Sequence, residues 1–145
     1  MNPEAVCILS AAAAFLFLKM QVNSVLQGYA RAKGVGFVYP EDQAFFGGPK
    51  DQERSHYEDL HYRATAAWRN DVENIPIFLV AAVCALLSGV PLEAFRWLLI
   101  GYCLCRSLHT FCLVKSLQPW RFLVFASGNT ITGVLLVWSL RLAGF

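Results

Sequence analysis

The residues most able to do chemistry stand together at the start of an apolar run. The segment Arg69-Asn70-Asp71-Val72-Glu73-Asn74 directly precedes the run from Ile75 to Leu87. At 100° per residue, its polar side chains, except that of Asp71 just beyond, fall on an arc of about 140° of a helix. One helical face therefore offers a guanidinium, a carboxylate and two amides, which together suit a polar, charged ligand.

Further basic side chains stand elsewhere in the chain where they could meet this face. Arg106 and His109 are three residues apart and share a helical face. Arg31 closes the first apolar stretch, and Arg121 opens the last. Because these bases outnumber the acids near them, we expect an electropositive site. Guanidinium groups bind carboxylates through paired hydrogen bonds, so the set favours an anionic, hydrophilic ligand.

Plainer interpretations of these residues stay open. Arg69 and Glu73 are four residues apart and can pair with each other. Such a pair can lock helices together without doing any chemistry. A single histidine such as His109 is more often a hydrogen-bonded core residue, although its neighbour Arg106 supports a ligand-binding role equally well.

The composition indicates a membrane protein. The chain has 145 residues, 57% of them hydrophobic, and a mean hydropathy of +0.46. A spanning helix needs about 20 mostly apolar residues, and the sequence predicts four spans, at about 4–31, 58–88, 93–114 and 119–142, with a loop at about 32–57. The expected fold is an all-α integral membrane protein, a single four-helix transmembrane domain over residues 1–145. A charge near the bilayer centre costs roughly 2.5–3.5 kcal/mol, so the polar segment needs a partner, water or a ligand.

Loop charges predict an orientation in the membrane. The connections after the first and third spans carry Lys and Arg, whereas Ser88-Gly89-Val90-Pro91-Leu92-Glu93 carries neither. By the positive-inside tendency, loops one and three face the cytoplasm and both termini face the opposite side. The bacterial inner membrane and the endoplasmic reticulum both remain open. A net charge of +2 does not indicate nucleic-acid binding.

The five cysteines are expected to be small buried hydrophobes. All five fall inside predicted spans, and the chain has no Cys-x-x-Cys or His-x-x-x-His pair. Cys103 and Cys105 point about 200° apart on a helix, so they cannot share a metal ion. No metal site is predicted.

The polar segment and its continuation, Arg69 to Phe78, resemble the signature of the membrane-associated proteins in eicosanoid and glutathione metabolism. The likeness is to the branch of microsomal glutathione transferases and prostaglandin E synthases, and it covers about residues 15–130. Other matching positions are Lys19-Met20, Arg31, Pro40-Glu41-Asp42, Gly47-Gly48-Pro49, Arg106-x-x-His109-Thr110 and Pro119-x-Arg121.

This resemblance implies a homotrimer in the lipid bilayer, with glutathione as cosubstrate bound between subunits near the cytoplasmic face. Arg121 would be catalytic, beside the glutathione sulfur. The residues implied to bind glutathione are Arg31, Arg69, Asn70, Glu73, His109 and Arg121. Further candidates for the site are Asp42, Asp71, Asn74, Arg106 and Phe125. The implied activity is a glutathione transferase acting on hydrophobic electrophiles, with glutathione peroxidase activity on lipid hydroperoxides as an additional option.

Three departures from the branch pattern keep other functions open. Phe122 and Phe125 stand where the synthase branch has Ser and Tyr, and Leu113 stands where the family often has Tyr. The missing hydroxyl groups argue against a prostaglandin E synthase-like isomerase, which remains one alternative. A lipid-binding membrane protein without enzymatic activity is another. An ion or proton path rests only on the charges within the spans and is the weakest of the alternatives.

Overall fold

Four long helices make up the described part of this computed structural model, which comprises residues 2–35 and 54–144. Their bounds are α1 at Pro3–Ala30, α2 at Arg54–Ser88, α3 at Leu92–Val114 and α4 at Trp120–Leu142. A π-helical turn, Arg31–Val35, continues α1. Helical structure therefore extends into both ends of the loop expected at about 32–57.

Each helix is long and apolar enough to cross a membrane. The apolar segments are Pro3–Val35, His56–Ser88, Leu92–Val114 and Trp120–Leu142. The shortest have 23 residues, which at 1.5 Å per residue span about 35 Å, more than the hydrocarbon core of a bilayer. The prediction of an all-α membrane protein with four spans is confirmed.

Local sequence signals explain where the helices begin and end. Asn2 caps α1, its side-chain oxygen accepting a hydrogen bond from the Glu4 backbone N–H at 2.9 Å. Gly89 ends α2 with φ +78°. Its N–H donates to the Leu86 carbonyl at 3.4 Å and that of Val90 to Ala85 at 3.1 Å. A glycine in the left-handed conformation commonly ends a helix in this way, because the turn lets the last helical carbonyls accept hydrogen bonds.

The core lies where α2 packs against each of the other three helices. Alanines 81, 82 and 85 are buried on α2, and such small side chains let membrane helices approach closely. Phe78 of α2 stacks on Tyr102 of α3, with ring centroids 3.6 Å apart and planes 2° apart. α2 is therefore the central helix of the bundle and carries the polar segment into it.

The cysteines follow the expectation only in part. Within the described residues they are free thiols, and Cys112 is buried. Cys84, Cys103 and Cys105 are partly buried, and Cys7 is exposed. The expectation of a buried side chain was wrong for Cys7.

Candidate functional site

A cluster of charged side chains occupies the interior of the bundle around Asp71. The Asp71 carboxylate pairs with the Lys19 ammonium through Oδ2, which also accepts from Asn23 Nδ2 at 2.7 Å. Its other oxygen, Oδ1, accepts from Arg106 Nη2 at 2.9 Å. We call these four residues the ionic centre. It joins α1, α2 and α3, and it obeys the rule that buried charges are paired and hydrogen-bonded.

The ionic centre also holds a neighbouring side chain. Arg106 Nη2 donates a second hydrogen bond to the side-chain oxygen of Asn70. Asp71 and Arg106 were candidates for the binding site, but their exposed fractions are 0% and 1% and neither lines a described cavity. The next residue along a helix is rotated by 100°, which turns Asp71 inward and Asn70 toward the cavity. Asp71 and Arg106 therefore position Asn70.

The first of two adjoining cavities gathers residues from α2, α3 and α4. It has a volume of about 300 Å³. Its lining residues are Ala66, Asn70, His109, Leu113, Gln118, Arg121, Phe122 and Phe125. The His109 ring lies 5.8 Å from the Phe125 ring, centroid to centroid, and within the described residues His109 Nδ1 is buried without a hydrogen-bond partner. This cavity therefore combines basic and aromatic groups.

The second cavity lies along α2 and has a volume of about 260 Å³. Its lining residues are Tyr62, Thr65, Ala66, Arg69, Asn70 and Glu73. Ala66 and Asn70 line both cavities, which therefore adjoin; we call the pair the two-lobed cleft, with Arg121 in the first lobe and Arg69 in the second. Both lobes approach the size range of small-molecule sites.

Arg69 and Glu73 do not form the ion pair that their spacing allowed. Both side chains are exposed, and within residues 2–35 and 54–144 no salt bridge joins them. Long exposed side chains lose rotamer freedom when they pair, and the gain for such a pair is small. Both charges remain available to a ligand in the second lobe.

The sequence places these features in a known family. A model of the MAPEG family matches residues 8–141. The chain belongs to the MAPEG family. No curated protein matches it. MAPEG is a membrane family that includes glutathione transferases and related enzymes, and its proteins use glutathione as a substrate. At the family level, this is a multi-pass integral membrane protein of glutathione-related or eicosanoid metabolism.

Two further residues predicted for the site of this MAPEG protein, Arg31 and Asn74, line neither lobe of the cleft. Arg31 Nε donates to His61 Nε2 at 3.1 Å, and Arg31 lines neither lobe. The Asn74 side chain donates back to the Asn70 carbonyl at 2.7 Å, one helical turn away, so its amide N–H serves its own helix. Asp42 lies outside the described residues.

Sequence reasoning missed several residues of the site. Thr65 and Tyr62 line the second lobe, and their positions four and seven residues before Arg69, about one and two helical turns, could have shown this. Gln118 lines the first lobe beside Arg121. It lies in the connection between α3 and α4, where helical periodicity gives no signal.

Proposed function

We propose that this MAPEG protein is a membrane-bound glutathione transferase that binds glutathione in the two-lobed cleft and stabilises its thiolate with Arg121. The observation that carries the proposal is the joining of two guanidinium groups, a carboxylate, an amide and an imidazole within two adjoining lobes. Glutathione carries two carboxylates, one ammonium group and a thiol, so the charges of the cleft complement those of the tripeptide.

Each group of glutathione has a suitable partner in the cleft. The carboxylate of Glu73 would bind the ammonium group of glutathione. Arg69 would bind one of the glutathione carboxylates through two parallel hydrogen bonds. Asn70, held by Arg106, would present its amide N–H to the peptide backbone. His109 and Arg121 lie in the other lobe, where the thiol would be placed.

The chemical step needs the thiolate, because the thiolate and not the thiol is the nucleophile. A cation within about 4–6 Å favours the charged form and lowers the pKa of the thiol. The thiol proton leaves to solvent, the sulfur forms a bond to the electrophilic carbon, and the leaving group departs with its electron pair. Peroxidase activity would use the same thiolate to attack the O–O bond of a lipid hydroperoxide, which with a proton from solvent gives the alcohol and a glutathione sulfenic acid. A second glutathione would then convert the sulfenic acid to the disulfide with loss of water.

The wall beside Arg121 suits an apolar second substrate. Leu113, Phe122 and Phe125 line the first lobe and carry no hydroxyl group. This favours transfer to a hydrophobic electrophile over an isomerisation that depends on a hydroxyl.

The same wall supports a second candidate, a lipid-binding protein without thiol chemistry. Stabilisation against thermal unfolding by glutathione, and not by fatty acids alone, would reject that candidate.

We further propose that the cleft is completed by neighbouring copies in a homotrimer, at the cytoplasmic face. Arg69 and Glu73 are exposed on a single chain although they lie in a candidate membrane span. Charges facing lipid cost roughly 2.5–3.5 kcal/mol each, so a second copy or a water-filled cleft should cover them. Arg31, outside its own chain's cleft, could then contribute to a neighbour's. Native mass spectrometry in detergent tests this: a trimer is expected, and a monomer would reject it.

The function is tested by assaying the purified protein with glutathione and a chlorinated nitrobenzene. Arg121→Ala should lower kcat/KM by about 10–100-fold, because it removes the charge beside the sulfur. Arg141→Ala is the matched control, since Arg141 is an exposed arginine at the other end of α4. Equal activity of both variants would reject the role of Arg121, and absence of glutathione binding would reject the whole assignment.

A further inference from the structure

A side chain from the connection between α3 and α4 contacts the guanidinium of Arg121. The amide of Gln118 lies 2.6 Å from Arg121 Nη2 and 2.9 Å from Nε. A guanidinium carries only donors, so the facing atom has to be the amide oxygen, which accepts both hydrogen bonds. We infer that Gln118 is a positioning residue that fixes the plane of Arg121 at the glutathione sulfur. This inference rests on the proposed function.

The contact holds one edge of the guanidinium and leaves the other open. Nε and Nη2 both point to a single acceptor, which fixes the plane as well as the position. No hydrogen bond from Nη1 is formed to any residue in 2–35 or 54–144. Among these described residues Nη1 has no acceptor, so it can donate to an anion in the first lobe, which both Gln118 and Arg121 line.

The charge of the acceptor matters as much as its position. An amide oxygen is neutral, so Arg121 keeps its full positive charge for the thiolate. A carboxylate at the same place would hold the guanidinium equally well but would cancel much of its field. Gln118 is suited to orient the cation without neutralising it.

The backbone around Gln118 is itself held in place. The N–H of Leu117 donates to the Cys112 carbonyl at 2.8 Å, and the N–H of Arg121 donates to the Leu117 carbonyl at 3.1 Å. These bonds fix both ends of the short segment that carries Gln118. The side chain of Phe122, the next residue along α4, carries no hydrogen-bonding group, whereas the amide of Gln118 meets the Arg121 guanidinium directly.

The test compares Gln118→Ala, Gln118→Glu and Arg121→Ala with the unchanged protein. Gln21→Ala is the control, the same truncation at an exposed position on α1. The readouts are the pH midpoint of the ultraviolet absorbance of bound glutathione thiolate and the separate kcat and KM for glutathione. Gln118→Ala should raise the midpoint by about half a unit to one unit and lower kcat about 3–10-fold, with little change in KM.

Gln118→Glu separates orientation from charge. The glutamate keeps an acceptor oxygen, but its negative charge offsets the positive charge of Arg121. The pH midpoint of thiolate absorbance in Gln118→Glu should therefore be higher than in Gln118→Ala. A midpoint in Gln118→Ala equal to that of Gln21→Ala, while Arg121→Ala raises it, would overturn the positioning role and leave the proposed function intact. A midpoint unchanged in Arg121→Ala would overturn the role of Arg121, and with it that of Gln118.

Discussion

Arg69 and Glu73 each lie two residues from Asp71 on α2, yet they belong to a different environment. Asp71 is fully buried and holds Lys19 and Arg106. Arg69 and Glu73 are exposed and line the second lobe. One short polar segment thus supplies both the ionic centre that joins three helices and the charged face of the cleft. The charged residues of this one segment therefore differ in role, according to which side of α2 they lie on.

Asn70 connects the two environments. Its oxygen accepts from Arg106 of the ionic centre, and the residue lines both lobes of the cleft. The ionic centre therefore orients an amide of the cleft, although Asp71 and Arg106 themselves line neither lobe. Changes inside the bundle should appear first as lost stability, and changes on the cleft face should appear first as lost affinity.

The largest effect is expected from Asp71→Ala, because it leaves Lys19 and Arg106 buried without their counter-charge. Removing one member of a buried ion pair costs about 3–5 kcal/mol, so the free energy of unfolding in detergent should fall by that amount or the protein should fail to accumulate. Asp71→Asn, which keeps an acceptor oxygen, should lose less.

Asp59→Ala is the control for this experiment. Asp59 is exposed and pairs with Arg63 one turn along α2, at 2.7 Å, and surface pairs of this kind contribute little to stability. If Asp71→Ala were as stable as Asp59→Ala, the ionic centre would not hold the bundle together.

An intermediate effect, on affinity alone, is expected from Glu73→Gln. A hydrogen bond to a charged group contributes about 1.5–3 kcal/mol, so glutathione should bind roughly 10–100-fold more weakly by calorimetry. Thermal unfolding should not change, because Glu73 is exposed and has no ion pair among the described residues.

Glu93→Gln provides the matched control for Glu73→Gln. Glu93 is an exposed glutamate at the start of α3, where it pairs with Arg96 at 2.8 Å, and it lines neither lobe of the cleft. Glutathione affinity should be normal in this variant. Equal affinity of the two variants would remove Glu73 from the binding site.

The smallest effect is expected from Tyr102→Phe, which tests an interior polar atom outside the ionic centre. Within the described residues, the Tyr102 hydroxyl is buried without a hydrogen-bond partner, while the ring stacks on Phe78. Removing an unsatisfied hydroxyl and keeping the ring should change the free energy of unfolding by less than about 1 kcal/mol, in either direction. A loss as large as that of Asp71→Ala would show that this hydroxyl belongs to the ionic centre.

The sequence was sufficient for the fold and for the part of the site that lies on one helix. Apolar stretches of spanning length predicted the four helices, and the helical rotation placed Asn70 and Glu73 on a common face, separate from Asp71. Arg121 and His109 were expected at the site as part of the basic set and from the resemblance to the family, and the structure places both in the first lobe with Asn70.

Contacts between helices could not be read from spacing. The periodicity of α1 shows that Lys19 and Asn23 share a face, but not that this face turns toward Asp71, because the relative rotation of two helices depends on packing along their full length. For the same reason, Arg106 was a further candidate for the site and lies in the interior, and spacing did not show that Arg31 contacts His61 of its own chain. Gln118 lies in the connection between α3 and α4, where there is no helical periodicity from which its neighbours could be predicted.

The most direct test of the account is the ultraviolet absorbance of glutathione mixed with the protein at neutral pH. If the cleft binds the tripeptide as its thiolate, the absorbance of the ionised thiol should rise with protein concentration to one equivalent per site, and S-methylglutathione should abolish the rise by competition. No thiolate absorbance, together with no glutathione retained in equilibrium dialysis, would contradict the account.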